Sequence, residues 1–515
     1  MKASPLAPRR QVLLLTFLAA ALQFWALDAQ SLWYDEGFSV WLAQRPLSEI
    51  VARTAADIHP PFYYLLLHGW IALTGSSEWA LRFLSALFAV LTVPLVWQLA
   101  RRLIEQEAAA IAVALLVVLS PLLLWYGREA RMYSLSLALL AATALVLLRL
   151  LGGRASRPDG SWQDVAAFAV LATVAVYTHF YIWFVLTAWA IVAGWVWLQE
   201  RLGGAGRAGG SGLVPPHVTP TRLAPTIIAF AMPLLSYMPW LGITLRRLRS
   251  DRSYWEGTLS LREVVEQALA SWMTGHTVYE GLAVPLGWLG GALALGGAVL
   301  LAWRVLRPQV AGWSLEKLPS FRKLPAWHWL LIVLWLLLPF IGLLALSWNR
   351  PKYHPRYLIF AAPAFLFLLG ALIGWLWRRR WSGRLVGTLL LLGVLGIFLL
   401  ADWNLFANPA YARSDWRALA HYLQAHRGPG EPILLISGHA YPVFHYYYPS
   451  REEVLYLPDE PTLDTSAVLG LTAAGRVAEK LEDAPGVWVV EWQDEVVDPE
   501  GVIHATLRAG GASVN

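Results

Sequence analysis

Long apolar runs recur along this chain at close intervals, and they restrict it to one kind of solvent. A helix that crosses a bilayer needs about 20 consecutive apolar residues. Inside hydrocarbon only helices and closed barrels satisfy their own backbone polar groups. Eleven stretches approach that length: 11–27, 80–100, 108–126, 133–151, 164–178, 181–198, 224–243, 282–303, 326–347, 357–377 and 384–401. The chain is 57% hydrophobic and 14% charged, whereas soluble domains are about a quarter charged. Its 29 Trp suit a protein with two membrane interfaces to anchor. The net charge of +6 fits basic loops beside anionic headgroups, so nucleic acid is not expected as a partner. No cysteine is present, which excludes disulfides, thiol catalysis and Cys-ligated metal.

Orientation follows from the basic residues. Lys2, Arg9 and Arg10 precede the first run and hold the N-terminus on the cytoplasmic side. With eleven spans, the inner loops carry Arg101-Arg102, then Arg149/Arg154/Arg157, Arg201/Arg207/Arg222, Arg304/Arg307/Lys317/Arg322/Lys323 and Arg378-Arg379-Arg380. A twelfth run, Pro61 to Leu73, is short and opens with Pro60-Pro61. It reads as a helix lying at the interface, because counting it as a span would move every later basic cluster outside. Arg9-Arg10 followed by Leu27-Asp28-Ala29 also fits a cleaved signal peptide.

The expected architecture is a polytopic α-helical membrane domain over 1–401, with about eleven spans, and a small soluble α/β domain over 402–515. In the latter, Pro432–Ser437 and Gly486–Glu491 read as short buried strands, and Asp415–Ala425 as an amphipathic helix. The Gly- and Pro-rich segment 203–220 reads as an inner loop. A plasma-membrane protein with a cytoplasmic N-terminus and an extracytoplasmic C-terminal domain is expected.

The chemistry-bearing residues gather on the outer side. The first outer loop, 28–79, is long and holds Asp35-Glu36 amid aromatic residues. The two acids are either a carboxylate pair at the membrane surface or acids favouring the start of an interfacial helix. The same loop holds Asp57-Ile-His59-Pro60-Pro61, whose prolines set a rigid corner. The third run ends in Arg128-Glu129-Ala-Arg131-Met-Tyr133; residues three apart share a helical face, and guanidinium forks match phosphate. Glu129 would balance one of these arginines in a purely structural reading. A second basic aromatic cluster is Asn349-Arg350-Pro-Lys352-Tyr353-His354-Pro355-Arg356-Tyr357. The loop 245–281 adds Arg246, Arg247, Arg249, Arg252, Tyr254, Trp255 and His276. Basic residues on the outer side run against the usual bias, and an anion embedded at headgroup level, such as a polyprenyl phosphate, explains them together.

Asp35-Glu36, Asp57-Ile-His59-Pro60-Pro61, Arg128-Glu-Ala-Arg131-Met-Tyr133 and His354-Pro-Arg356-Tyr357 together resemble the glycosyltransferase family 39 group. That group includes the dolichyl-phosphate-mannose protein mannosyltransferases, the aminoarabinose transferases of lipid A and the Rgt-like sugar transferases. The resemblance spans roughly residues 10 to 400. It implies a GT-C fold with juxtamembrane helices over a cavity, and it makes Asp35 the catalytic aspartate. The chain carries His59 where aminoarabinose transferases have lysine, and it lacks the β-trefoil module of eukaryotic mannosyltransferases.

The expected activity is hexosyl or pentosyl transfer from a polyprenyl-phosphate sugar to an acceptor hydroxyl on protein, lipid or glycan of the cell envelope. Asp35 takes the acceptor proton in an inverting displacement, and Glu36 orients the site. Arg128, Arg131 and Arg356 hold the donor phosphate, with His59 behind them, and Asp57, Tyr133 and Tyr357 complete the binding set. No nucleotide fingerprint is present. No cofactor is required, although Asp35, Glu36 and Asp57 would suit a divalent cation. The chief rival is a transporter or flippase of lipid-linked sugars, which should carry charges near the bilayer midplane.

Overall fold

The computed structural model describes residues 7–57, 59–152, 162–205, 223–250, 260–310, 325–348, 353–457, 469, 471–481 and 484–510. Arg154, Arg157, Arg207, Arg222, Arg252, Tyr254, Trp255, Lys317, Arg322, Lys323, Arg350 and Lys352 lie outside these, as does most of the segment 203–220.

The membrane part begins with α1 (Ala7–Phe24). Three short helices follow in the first long loop: α2 (Tyr34–Ala43), α3 (Leu47–Ala56) and α4 (Phe62–Thr74). Pro61 precedes α4, whose 13 residues are too few to cross hydrocarbon. It buries Tyr63, Tyr64 and Leu67 instead. Next come α5 (Glu78–Ile104), α6 (Glu107–Val118) and α7 (Pro121–Gly127). The last two replace the single third span expected from the sequence: they meet at a 53° bend. Pro121 cannot continue the hydrogen-bond ladder of α6. Ser120 caps the new helix by accepting from the Leu123 N–H.

The remaining long helices are α8 (Tyr133–Gly152), α9 (Trp162–Thr178), α10 (Ile182–Ala205), α11 (Leu223–Ser250), α12 (Leu261–Thr274), α13 (Glu280–Val310), α14 (Ala326–Leu346), α15 (Ala362–Trp377) and α16 (Trp381–Ala407). Arg246, Arg247 and Arg249 thus belong to the last turns of α11 rather than to a loop. Helices stand at all eleven expected positions. Among the described residues, eight are long and apolar enough to span, or nine with the bent pair. The protein is a multi-pass helical membrane protein. α8 and α15 are the most deeply surrounded, while α1, α11, α13 and α16 turn Leu14, Leu235, Leu295 and Leu389 outward. An outward apolar face is stable in lipid and unfavourable in water.

α16 runs past the expected boundary at 402 to Ala407. The α/β part then contains α17 (Trp416–His426), β1 (Ile433–Leu435), α18 (Tyr441–Tyr447), β2 (Val454–Tyr456), α19 (Leu471–Leu481), β3 (Trp488–Val490), α20 (Asp494–Val497) and α21 (Val502–Ala509). The sheet is parallel in the order β2-β1-β3, with Leu434 facing Leu455 and Val489. β1, β3 and α17 fall where the sequence placed them, and Asp415 caps α17 through the Ala418 N–H. β2 (Val454–Tyr456) was not among the expected strands.

This part docks on the first long loop, between α1 and α5. Gly37 of α2 lies against α18 so closely that a Cβ there would stand 2.5 Å from the Val443 Cα. The Ser31 hydroxyl donates to the Ser414 carbonyl (3.0 Å) and accepts from the Trp416 N–H (3.1 Å). Arg417 and Tyr447 both reach Glu78.

Candidate active site

Asp35 occupies the first turn of α2, where a carboxylate is favoured by the helix dipole. Its Oδ2 accepts from Arg356 Nη1 at 2.6 Å, and Arg131 Nη2 stands 3.9 Å away. Its side chain retains 16% exposure and that of Arg356 19%, so this pair is the accessible edge of the cluster. Burial pushes the Asp35 carboxyl up, but Arg131 and Arg356 outweigh it and hold it below the usual carboxylate range.

Glu36 turns the other way, as adjacent helical residues must. It is fully buried. Arg82 donates to it from Nε (2.8 Å) and Nη2 (2.6 Å), and Arg413 from Nη1 (3.3 Å). The Ala130 N–H (2.9 Å) and the Trp33 N–H (3.3 Å) complete the shell. Arg82 also binds the carbonyls of Leu27, Gln30 and Ser31. Glu36 is therefore a saturated structural anchor. It points away from Asp35, so the two acids do not form a carboxylate pair. Among the described residues, no group of three or more His, Asp or Glu is placed to hold a metal ion.

The arginines of the third run also part company. α7 ends at Gly127 and α8 starts at Tyr133, so residues 128–132 are non-helical and share no helical face. Arg128 points back to the end of α1, donating to the carbonyls of Leu22 (2.8 Å), Gln23 (3.1 Å) and Ala26 (3.0 Å). In this arrangement Arg128 clamps the end of α1. Arg131 points into the cluster. It donates to the Asp35 carbonyl (3.3 Å), Ser39 Oγ (3.3 Å), Tyr64 OH (3.5 Å) and His59 Nε2 (3.1 Å).

The other expected residues surround this centre. Asp57 ends α3, and its charge is felt at Tyr34 and Tyr64. Tyr133 is buried with its ring 4.8 Å from that of Tyr126. The Tyr357 ring is 6.0 Å from the Arg356 guanidinium and 5.0 Å from the Tyr181 ring. His354 accepts from the Arg356 N–H at 3.2 Å and so fixes that turn.

Four residues had escaped notice as site members. His179, at the start of the turn between α9 and α10, lies 5.4 Å from His59, ring to ring. Tyr126 bonds His276 Nε2 at 3.0 Å. Glu129 binds Trp125 Nε1 and Arg413 Nη2, each at 2.8 Å; burial pushes its carboxyl up to about 7. Arg413, from the segment after α16, joins Glu36 to Glu129 between the rings of Trp33 and Trp125. Its sequence position among ordinary loop residues carried no signal.

Residues 58–209 match the family described as dolichyl-phosphate-mannose-protein mannosyltransferase. The matched stretch includes His59, Glu129, Arg131, Tyr133 and His179. The oligosaccharyltransferase of Archaeoglobus fulgidus in its apo form superposes with a TM-score of 0.55 at 13% identity, over 93% of this chain and 69% of that one. ArnT from Cupriavidus metallidurans, also apo, superposes with a TM-score of 0.53 at 16% identity, over 89% of this chain and 88% of that one. This is the GT-C fold. The match and the fold together mark the chain as a membrane glycosyltransferase. No curated protein sequence matches it. Within the GT-C fold, Asp35, Arg131 and Arg356 come from three separate parts of the chain and meet at the first turn of α2.

Proposed function

We propose that the chain transfers a sugar from a polyprenyl-phosphate donor to an acceptor hydroxyl at the outer membrane face, with inversion. The observation that carries this reading is a partly exposed carboxylate, Asp35, held between Arg131 and Arg356. The family description names a dolichyl-phosphate-linked sugar donor, which is the ligand class that such an acid-and-arginine centre suits.

The acceptor oxygen attacks the anomeric carbon opposite the phosphate. The carbon–oxygen bond to phosphate breaks, polyprenyl phosphate leaves with the electron pair, and Asp35 takes the hydroxyl proton. Proton removal of this kind contributes about 10²–10⁴-fold. Arg356 and Arg131 offset the charge that builds on the leaving phosphate, so no acid need protonate it. His59, Asp57, Tyr133 and Tyr357 line the approach. The C-terminal α/β part lies on the extracytoplasmic side with the first loop, since the two are joined through Ser31, Glu78 and Glu36. The acceptor is a protein, lipid or glycan hydroxyl.

The test is consumption of a polyprenyl-phosphate sugar by the purified protein in detergent, with stoichiometric release of polyprenyl phosphate that depends on added acceptor. Proteoliposomes provide the counter-experiment: passage of the intact sugar lipid across the bilayer, without release of polyprenyl phosphate, replaces this reading with that of a transporter.

A further inference from the structure

The two histidines behind Asp35 hold hydrogen-bond donors that the protein itself leaves unused. Arg131 Nη2 lies 3.1 Å from His59 Nε2. A guanidinium only donates, so Nε2 is the acceptor and the proton of a neutral ring sits on Nδ1. His59 Nδ1 is shielded and has no partner among the described residues. The Tyr181 N–H donates to His179 Nδ1 at 3.3 Å, which places the proton of that ring on Nε2. His179 is fully buried, and its Nε2 also has no partner among the described residues.

The two rings are 5.4 Å apart. Phe360 stands against His179 at 4.7 Å and Tyr133 at 6.1 Å, closing its other sides with aromatic rings. A shielded N–H without an acceptor is unfavourable. Two of them side by side, next to Arg131, point to acceptor atoms brought by a ligand. Both rings also stay uncharged. Burial first, then Arg131, lowers their basicity, that of His179 to about 3. Phosphate charge is met by the guanidiniums of Arg131 and Arg356, whereas neutral N–H groups suit neutral oxygens.

We propose that His59 Nδ1–H and His179 Nε2–H form a two-donor subsite for hydroxyl oxygens of the transferred sugar, with His179 a specificity residue. The inference rests on the donor reading above and adds to it the place where the sugar, as distinct from the phosphate, is recognised.

The experiment measures binding of undecaprenyl phosphate, bare or carrying mannose, glucose, galactose or arabinose, to the full-length protein in detergent. The wild type should prefer one glycosylated lipid over the bare one. His179→Phe keeps a ring and removes the donor, so it should cut that preference about tenfold while leaving affinity for the bare lipid unchanged. His179→Leu removes the donor without adding a second aromatic ring and is read in its place where the first variant does not fold. A variant that keeps the full preference, or that loses bare and glycosylated lipid equally, overturns the subsite. So does a wild type that binds both kinds of lipid equally well. A wild type that binds neither overturns the donor reading and the subsite with it.

Discussion

Arg356 donates to Asp35 at 2.6 Å across 321 residues of sequence, so the carboxylate proposed as the base is already held by a cation in the free protein. A guanidinium that close favours the ionised form and weakens its pull on a proton. On the proposed function, donor phosphate would compete for the same guanidinium and free Asp35 for the acceptor hydroxyl.

This relationship sets a pH dependence. Asp35 has its carboxyl held below the ordinary value by Arg131 and Arg356 against the opposing effect of burial. The base is therefore ionised through the neutral range, and kcat/KM should fall only as pH drops through that lowered value. Arg356→Gln removes one of the lowering charges, so the acid limb should move to higher pH while donor affinity drops. An unmoved acid limb with weakened donor binding would detach Arg356 from Asp35 in the mechanism.

Asp35→Asn keeps shape and removes proton-accepting capacity. The chemical step should slow by about 10²-fold or more, with donor binding and thermal stability close to wild type. Single-turnover transfer, measured beside lipid binding, separates the two effects. Full activity would exclude Asp35 as the base.

Arg128→Ala should act on stability and not on catalysis. It removes a guanidinium that serves three carbonyls at the end of α1. The expected loss is about 1–3 kcal/mol, visible as a lower thermal midpoint with an unchanged KM for the donor. A selective rise in that KM would restore Arg128 to the phosphate site.

Arg413→Met leaves Glu129 buried without a compensating charge. Because burial already pushes the Glu129 carboxyl up to about 7, it takes up a proton when Arg413 is lost, and the destabilisation falls below the about 3–5 kcal/mol of a broken, fully charged buried pair. Glu129→Gln alone should be mild, because that carboxyl is already near neutrality at about 7. The double variant should recover more than half of the loss caused by Arg413→Met. Simple additivity in the double-mutant cycle would show that the two side chains are not coupled.

A reporter that works only outside the cytoplasm, fused after Asn515, should be active. An inactive external reporter together with an active cytoplasmic one would contradict the eleven-span arrangement.

The positions of the helices were legible because each apolar run announces itself locally, and so was Asp35, which stands in an unusual acidic and aromatic setting. The centre's internal wiring was not. Arg128 and Arg131 look equivalent when helical spacing is assumed, but Pro121 starts a separate short helix and the chain unwinds after Gly127, which sends them apart. Glu36 and Asp35 are neighbours in sequence, and only the arrival of Arg82 and Arg413 makes one an anchor and leaves the other accessible. His179 follows a long apolar run and becomes meaningful only beside His59. These distinctions depend on partners far away along the chain, which periodicity and motif spacing do not encode.

The clamp between Glu36 and Arg413 joins residues 377 positions apart, and that separation has a consequence in time. At translation speeds of about 5–20 residues per second, Glu36 waits roughly 20–75 s for its second cation. All the spans have been synthesised by then, and α2 has no α18 to rest on until later still. On the proposed function, a nascent chain still on the ribosome is inserted but incomplete at its centre. The contacts that hold Glu36 are complete only after Arg413 has been made, and the surface of α18 on which α2 rests is made after that.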